Sequence, residues 1–311
     1  MDPEFDGSEL GLRFRLAPPF ALESARIFQK RERELQQCFA CWAVDGETKV
    51  FLDTMRPLNF RLEGPPGVGK NEIVYELASQ LGRPLYVIQG HEELTPEDLA
   101  LVLVPNASDG STPGVGFSYN ASPLVSALRR GGLFFFDEIN RVPERTLAPL
   151  ASVLDDRKRI YSALVARDIS PPNEDFKASF RFCCAMNPEG SARGGLPDYI
   201  DERTLPVIRV DYMSLDDLVP ILSKYLNPST ELLHAFRTWY EEDERRHLST
   251  RQARTLVQYA MSIAWQTKVG PDDAIRQSSE QVGIKSKTDD GEPDNDADEE
   301  EPDDSDDDGK Q

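Results

Sequence analysis

A glycine-rich loop at residues 64–71 constrains this chain more than any other feature. It reads Gly-Pro-Pro-Gly-Val-Gly-Lys-Asn, and it stands between a short apolar run at 59–63 and a helical pattern at 72–80. Glycines let successive backbone N–H groups point at phosphate oxygens, and the helix behind them adds the positive end of its dipole. A glycine-rich turn with a solvated lysine is the alternative, but the strand-loop-helix context favours a phosphate-binding loop. Its candidate contact residues are Gly64, Pro65, Pro66, Gly67, Val68, Gly69, Lys70 and Asn71.

The last position of this loop departs from the usual pattern. Lys70 is placed to reach the outer phosphates of a nucleotide, and the next residue in such loops is Ser or Thr, whose hydroxyl ligates Mg²⁺. Here it is Asn71, whose amide oxygen can ligate a hard cation but stands one atom further from the backbone. We therefore expect metal affinity, and with it hydrolysis, to be more sensitive to this substitution than nucleotide binding.

The region from 59 to 212 predicts an α/β fold with a parallel sheet. Short apolar runs alternate there with helical or loop-like stretches, as expected of strands joined by helical crossovers. The run from Leu133 to Phe136 is apolar at every position, which indicates a strand that is covered on both faces and lies near the middle of the sheet. The five predicted strands are at 59–63, 84–89, 133–137, 180–186 and 207–212.

An acidic pair, Asp137 and Glu138, ends the central predicted strand. The carboxyl ends of parallel strands are where open α/β sheets bind their ligands. In that place Asp137 is suited to hold Mg²⁺ through its water shell, and Glu138 is suited to orient and deprotonate the water that attacks the γ-phosphate. Two carboxylates that cap a following helix are the alternative. The pair predicts nucleotide hydrolysis, with ATP and Mg²⁺ as cofactors.

The chain divides into four predicted parts. The N-terminal segment includes an amphipathic helical pattern between 21 and 42, and strand patterns end near Tyr212. Ser249 and Gln252 form a capping-box pattern, so the last lid helix is predicted to begin near Thr250. The parts are an N-terminal segment and helix at 1–45, a nucleotide-binding core at 46–212, a small all-helical lid at 213–275, and a disordered acidic tail at 276–311.

The charge of the chain argues against broad nucleic-acid binding. The sequence has 55 Asp and Glu against 35 Lys and Arg, a formal charge of −20. Much of this charge lies at 289–311, which holds 14 acidic residues and one basic residue. Such a run is usually a solvating segment, although it could also bind a basic partner, imitate DNA or regulate assembly. Deleting it is expected to leave nucleotide binding intact.

The sequence predicts a soluble protein of a reducing, cytoplasmic compartment. No apolar run approaches the length of a membrane-spanning helix, and the first ten residues are acidic where a signal peptide would be basic and then apolar. The four cysteines are too few for a disulfide-stapled scaffold. Cys38 and Cys41 have metal or redox spacing but lack a second paired site, so buried packing is the better interpretation.

Taken together, these motifs resemble those of the AAA+ ATPases, and among them the MoxR-like branch with its CbbQ and NorQ-type proteins. The resemblance covers about residues 20–270, and its pieces occur in the order of the family. It implies an αβα core with sheet order 5-1-4-3-2, a helical lid, a hairpin insertion near 101–119, and assembly into a ring, usually a hexamer. The matching pieces are GPPGVGKN, LTPEDL, FSYNASPLVSALRRGG, LFFFDEINRVP, CAMNPEG and STRQARTLVQYA.

The resemblance also implies roles for residues outside the loop and the acidic pair. Asn187 matches the first sensor, which holds the attacking water or the γ-phosphate, although an Asn before a proline is also a common turn residue. Arg251 matches the second sensor, which reaches the nucleotide from the lid, and a helix-surface arginine is the alternative. Arg203 lies where the family has the arginine finger that enters a neighbour's site, and Arg193 in the same loop is a rival.

We therefore expect a ring-forming ATPase that hydrolyses ATP with Mg²⁺ to remodel or activate a protein client. Members of the resembled family commonly work beside a protein with a von Willebrand A domain, so such a partner is implied by the resemblance. A nucleotide-gated scaffold that binds ATP but scarcely hydrolyses it is the alternative, motivated by Asn71. A DNA- or RNA-handling motor is a third class, and the acidic balance weighs against it.

Overall fold

The computed structural model describes residues 5–7, 10–23, 28–105, 117–188, 195–242 and 247–283. Its strands are β1 Phe5–Asp6, β2 Phe14–Arg15, β3 Phe60–Glu63, β4 Leu85–Gln89, β5 Leu101–Pro105, β6 Phe117–Ala121, β7 Leu133–Asp137, β8 Ile160–Ser162, β9 Arg167–Ile169, β10 Arg181–Met186 and β11 Val207–Arg209. Its helices are α1 Glu32–Cys41, α2 Lys70–Leu81, α3 Pro123–Arg130, α4 Glu144–Leu147, α5 Leu150–Leu154, α6 Glu174–Ser179, α7 Asp198–Asp201, α8 Leu215–Leu226, α9 Thr230–Glu241, α10 Thr250–Thr267 and α11 Pro271–Gln281.

A five-stranded parallel sheet forms the centre of the core. Its order is β11-β3-β10-β7-β4, which is 5-1-4-3-2 when these five strands are numbered along the chain. The prediction of an α/β fold with this sheet order is therefore confirmed. Since all five strands run in the same direction, their carboxyl ends meet at one edge, and that edge carries the functional site.

The central position of β7 follows from its composition. Every residue of this strand is buried, and Phe134, Phe135 and Phe136 are fully shielded from solvent. Because side chains alternate along a strand, Phe135 packs into the hydrophobic cluster beneath α1 and α2, whereas Phe134 and Phe136 pack into the cluster on the other face. A strand covered on both sides needs an unbroken apolar run, and the sequence supplies it.

A second sheet, of order β1-β2-β6-β5, lies beside the core. Its strands β5 and β6 form the hairpin insertion that the resemblance implied near 101–119, with residues 106–116 outside the described part. The N-terminal strands extend this hairpin, because β2 pairs in parallel with β6. A bidentate ion pair between Arg129 and Asp6, with nitrogen–oxygen distances of 2.7 and 2.8 Å, fixes the N-terminal strands to α3.

The N-terminal helix is shorter than the sequence predicted. Its pattern predicts a helix between 21 and 42, of which residues 24–27 lie outside the described part, but α1 begins at Glu32, two residues after Lys30 with its left-handed φ of 65°. The amide of Phe20 donates to the Leu85 carbonyl, so this part of the chain runs along the core before the helix begins. Helix α1 packs on α2 through one shared hydrophobic cluster, so it is part of the core rather than a separate segment.

The lid consists of α8 to α11 and has a hydrophobic cluster of its own. Its last helix, α11, ends at Gln281, beyond the predicted lid boundary at residue 275. Ala274, Ile275 and Ser278 are fully buried, and Ser278 Oγ donates to the Leu256 carbonyl over 2.7 Å. The prediction of disorder from 276 is therefore wrong for the first part of the tail. Only Ile275 among these three is a large apolar residue, so the apolar pattern that marks a helix was weak there.

Two further expectations from the sequence concern the cysteines and membrane-spanning helices. The four cysteines are buried and unpaired, and burial raises the pKa of each thiol, to about 11 for Cys41 and about 12 for Cys184, in agreement with a packing role. Within the residues given above, no helix combines the length and the apolar composition that crossing a lipid bilayer requires. The tail from 284 onward lies outside the described residues.

Candidate functional site

The phosphate loop joins β3 to α2 and takes its shape from glycines. Gly67 and Gly69 have left-handed φ values of 79° and 103°, which side chains with a Cβ rarely adopt. Gly64 is required for a different reason, since a Cβ there would stand 2.0 Å from the carbonyl oxygen of Val210. Gly69 caps α2 without a side-chain hydrogen bond, so the first N–H groups of this helix are presented toward the loop.

Lys70 is folded back onto its own loop. Its Nζ donates to the carbonyl oxygens of Gly64 at 2.6 Å and Pro65 at 2.9 Å, and the side chain is largely buried. Burial lowers the pKa of Lys70, and the carboxylates of Asp137 and Glu138 oppose this effect. The ammonium group therefore already lies in the field of the acidic pair, and phosphate oxygens can replace the two carbonyl acceptors.

The loop and the acidic pair meet through Asn71. Its Nδ2 donates to Asp137 Oδ2 over 2.6 Å, and Asp137 is buried at the end of β7. Burial raises the pKa of Asp137, while the hydrogen bond from Asn71 opposes that rise. The amide donates through nitrogen and leaves its oxygen for a ligand, so the pair offers carboxylate and amide oxygens, the donors that Mg²⁺ prefers. These two residues therefore fit a magnesium site.

Glu138 begins a tight turn after the strand. Its φ is 51°, and its backbone N–H donates to Asp137 Oδ1 over 3.0 Å. Gly90 permits this turn, because a Cβ there would come within 2.4 Å of the Glu138 carbonyl oxygen. The carboxylate of Glu138 lies 3.1 Å from Arg141 Nε, and both side chains are partly exposed to solvent. The predicted base is thus ion-paired in this conformation.

Asn187 directly follows β10 and faces the same cavity as the acidic pair. Its backbone carbonyl accepts a 3.0 Å hydrogen bond from Nδ2 of Asn140, which lies in the turn after Glu138. This bond connects the ends of β7 and β10 directly. Asn140 was not singled out from the sequence, since nothing in its local pattern separates it from an ordinary turn residue.

The lid reaches the loop through the start of α10. The predicted capping box of Ser249 and Gln252 is confirmed, and α10 begins at Thr250 as expected. The backbone N–H of Arg251 donates to the Gly67 carbonyl over 3.3 Å. A Cβ on Gly67 would lie 2.9 Å from both Arg251 Cβ and Ser249 Oγ, so the glycine allows this close approach.

These groups enclose one cavity of about 330 Å³ between core and lid. It is lined by Lys70, Asn71, Asp137, Glu138, Asn187 and Arg251, which separate sequence motifs had singled out. Sequence reasoning missed most of the side of the cavity made by the N-terminal segment and the lid, because no pattern in the sequence assigns these residues to a site and they come together only in the folded chain. The missed lining residues include Phe28, Gln29, Arg31, Tyr225 and Arg254.

Arg203 lies apart from this cavity. Its Nη1 donates to the Tyr199 carbonyl over 2.7 Å, and the side chain is half-buried in a short turn before β11. It is not among the described residues that line the cavity of its own chain. The rival Arg193 lies outside the described residues.

The nucleotide-binding core of this chain is similar to known protein domains. Residues 59–203 match the family described as AAA domain (dynein-related subfamily). The chain is 29% identical over 147 residues to the denitrification regulatory protein NirQ of Pseudomonas aeruginosa, which covers 47% of this chain and 52% of NirQ. It is 33% identical over 98 residues to NorQ of Paracoccus denitrificans, which covers 31% of this chain and 33% of NorQ.

A larger protein and a solved structure are also similar to this chain. The chain is 30% identical over 164 residues to midasin of Giardia intestinalis, a match that covers 52% of this chain but 3% of midasin. The chain thus spans about half of NirQ, a third of NorQ and a very small part of midasin. A RuvB variant from Thermotoga maritima superposes with a TM-score of 0.54 at 17% identity, over 83% of this chain and 72% of that chain, which shows the shared fold.

Proposed function

The chain belongs to the AAA+ ATPases of the MoxR and NorQ type, and from this premise we propose that it hydrolyses ATP in a ring to remodel or activate a protein client. One observation carries the proposal: a phosphate loop, an acidic pair, a polar strand end and a lid arginine line a single cavity. A glycine-rich turn alone would not require the carboxylates and Arg251 to converge on it.

In the proposed reaction, the loop N–H groups and Lys70 bind the phosphates of ATP. Lys70 exchanges its two carbonyl acceptors for phosphate oxygens, which removes a buried ammonium from the loop and places it against anionic charge. Asp137 and Asn71 would hold Mg²⁺, which supplies positive charge for the outer phosphates. The Asn71 amide would keep Asp137 oriented through nitrogen while its oxygen faces the metal.

Glu138 is the residue suited to take a proton from the attacking water. It must turn its carboxylate from Arg141 toward the cavity, and the exposure of this ion pair makes that movement inexpensive. Asn187 would hold the water or the γ-phosphate from the end of β10, and Arg251 would contact the nucleotide from the lid. Both residues line the cavity, which supports these roles.

The assembly and the partners are part of the proposal. Arg203 lines no part of its own cavity, so its role as an arginine finger requires a neighbouring subunit, as in a ring and most simply a hexamer. The client would be a protein, with a von Willebrand A domain protein as a candidate partner, and the site of action would be cytoplasmic. The likeness to RuvB concerns the fold, so it does not favour a nucleic-acid client.

A specific observation favours one alternative function, a nucleotide-gated scaffold that hydrolyses ATP very slowly. Asn71 donates a hydrogen bond to one carboxylate oxygen of the buried Asp137, and Arg141 forms an ion pair with the carboxylate of Glu138. If these contacts persisted with ATP bound, nucleotide would change the lid position without being consumed. The scaffold and the motor share their binding residues and differ only in turnover.

Phosphate release by the purified chain across a Mg²⁺ titration separates the two functions. Turnover that is lost in Glu138→Gln but kept in Glu144→Gln would support the motor. Glu144 is the matched control because it is an exposed glutamate of the next helix and does not line the cavity. Tight nucleotide binding with no turnover, restored by Asn71→Thr, would support the scaffold. A parent chain that binds no nucleotide would contradict both.

A further inference from the structure

Arg31 connects three parts of the chain through one guanidinium group. Its Nη2 donates to the carbonyl oxygen of Val68 at 3.1 Å and to that of Asp211 at 2.5 Å, and its Nη1 donates to Glu34 Oε1 at 2.9 Å. The side chain is buried, with 7% of its surface exposed. Val68 belongs to the phosphate loop, and Asp211 lies between β11 and the first lid helix.

The position of the two carbonyls explains why this contact matters. Val68 lies between Gly67 and Gly69, which both have left-handed φ values, so the orientation of its carbonyl depends on the conformation of the loop. Asp211 follows Val210, whose N–H donates to the Glu63 carbonyl at the edge of the sheet, and it precedes α8. A change in the position of either carbonyl is therefore expected to move the guanidinium, which also binds the other carbonyl.

The neighbouring residue reinforces the link to the lid. Lys30 Nζ lies 3.1 Å from Asp217 Oδ1, in the first turn of α8. That pair is exposed and contributes little by itself. Residues 30 and 31 nevertheless contact the loop, the lid junction and the lid helix from one short stretch that borders the cavity.

The bonding capacity of Arg31 is not filled in this conformation. Its Nε is buried and has no hydrogen-bond partner among the residues that the structure describes. A buried donor without an acceptor is unfavourable, and such groups are rare in folded proteins. A movement of the guanidinium that gives this donor an acceptor would remove that cost, so Arg31 is suited to respond to a change in the cavity.

We propose that Arg31 is a positioning residue that couples the phosphate loop to the orientation of the lid. The inference rests on the proposed function, because it takes the cavity for the nucleotide site. Occupation of the loop by phosphate moves the Val68 carbonyl, Arg31 transmits the change to Asp211, and the lid turns about its junction. Lysine cannot reproduce this arrangement, since its ammonium has no second nitrogen to bind Glu34 while the first holds the two carbonyls.

The test measures the distance between core and lid in the full-length chain. Spin labels are placed on the exposed positions Gln80→Cys in α2 and Thr238→Cys in α9, where the native cysteines are buried and compete little for the label. A non-hydrolysable ATP analogue is expected to shift this distance in the parent. In Arg31→Lys the analogue still binds, the shift is lost, and turnover falls by about tenfold, within the range of typical coupling between sites.

Arg129→Lys is the matched control, because Arg129 is also a buried, ion-paired arginine but lies on α3 away from the cavity. It is expected to lower the melting temperature while the distance shift and turnover remain. If Arg31→Lys does not fold, Glu34→Gln removes the carboxylate that orients Arg31 and is expected to weaken the shift.

The outcomes separate this inference from the proposed function. A full distance shift and parental turnover in Arg31→Lys would overturn the coupling role while leaving the ATPase proposal intact. A parent that hydrolyses ATP without any distance shift would also overturn it, since no lid movement would exist to be coupled. A parent that binds no nucleotide would instead refute the function on which the inference rests.

Discussion

Asn71 Nδ2 and Asp137 Oδ2 lie 2.6 Å apart, which joins the first turn of α2 to the carboxyl end of β7. A serine or threonine at this place uses one oxygen both to donate to the carboxylate and to ligate a metal. An asparagine divides these tasks between its nitrogen and its oxygen. The substitution that departs from the usual sequence thus keeps the hydrogen bond to the carboxylate and still offers an oxygen to a metal.

Replacing Asn71 by an apolar residue of similar size tests this division. Asn71→Leu removes the metal ligand and leaves the buried Asp137 without its donor, so the Mg²⁺ concentration for half-maximal turnover is expected to rise by about 10- to 100-fold. Asn71→Thr is the control and should stay close to the parent or improve on it. Phosphate release across a Mg²⁺ titration measures both, and an unchanged Mg²⁺ dependence in Asn71→Leu would contradict the assignment.

Freeing Glu138 from its ion pair should change turnover only modestly. Since the Glu138–Arg141 pair is partly exposed, it is worth at most about 1 kcal/mol, so Arg141→Gln is expected to raise basal turnover by no more than about fivefold. Arg145→Gln, at an exposed arginine in the following helix, should have no effect. Steady-state turnover at saturating ATP is the measurement, and a large loss in Arg141→Gln would assign Arg141 a catalytic task instead.

Gly64 tolerates no side chain, in contrast to a glycine in an open turn. The Cβ of Gly64→Ala would meet the Val210 carbonyl oxygen at 2.0 Å, so the loop or β11 must shift, at a cost of about 1–3 kcal/mol. Gly46→Ala, where no atom lies within 4 Å, is the matched control. Thermal melting and nucleotide affinity are measured together. Equal melting temperatures for the two variants would show that this crowding has no energetic consequence.

Arg203 is expected to act on a neighbouring subunit. Arg203→Ala should reduce turnover by about a thousandfold with nucleotide binding retained, as for an arginine finger. Lys70→Ala should lose nucleotide binding. A mixture of the two inactive variants should recover part of the activity, because a mixed assembly can pair an intact Lys70 site with an intact Arg203. No recovery in mixtures that co-assemble by light scattering would refute the role in trans.

Lys158 makes the stability of the chain depend on pH in the alkaline range. Burial lowers the pKa of Lys158 from 10.5 to about 8. Between these values the unfolded chain binds the additional proton, so the free energy of unfolding rises as the pH increases from about 8 to 10.5. Below pH 8 the folded chain buries a charged ammonium, which lowers its free energy of unfolding. Lys158→Met removes this charge and is therefore expected to stabilise the fold by about 1–3 kcal/mol at pH 7.

The gain in Lys158→Met should disappear near pH 10.5, where neither state of the parent chain carries the charge in full. Lys177→Met, at a lysine 3.5 Å from Glu174, is the control and should show no gain that disappears between pH 7 and 10.5. Denaturant unfolding at several pH values measures the difference. A stabilisation that stays constant from pH 7 to 10.5 would contradict the assignment to the Lys158 charge.

Local patterns in the sequence determined the core of the site. The glycine spacing of 64–71, the unbroken apolar run of β7 and the acidic pair at its end each depend on a few adjacent residues. The strand, the loop and the place of Asp137 at the strand end could therefore be predicted. The capping box at Ser249 fixed the start of α10 for the same reason. The sheet order came from the resemblance and agrees with the observed pairing.

Tertiary structure decided the rest, because the remaining contacts join residues that are distant in the sequence. Arg31 bonds a loop carbonyl 37 residues away and a junction carbonyl 180 residues away, and no periodicity encodes such a pair. The end of the lid at Gln281 depends on a serine that fits under α10, which hydrophobic patterning does not detect. The sequence by itself predicted the polar and charged groups that line the cavity, whereas the packing of the N-terminal segment and lid decided what surrounds them.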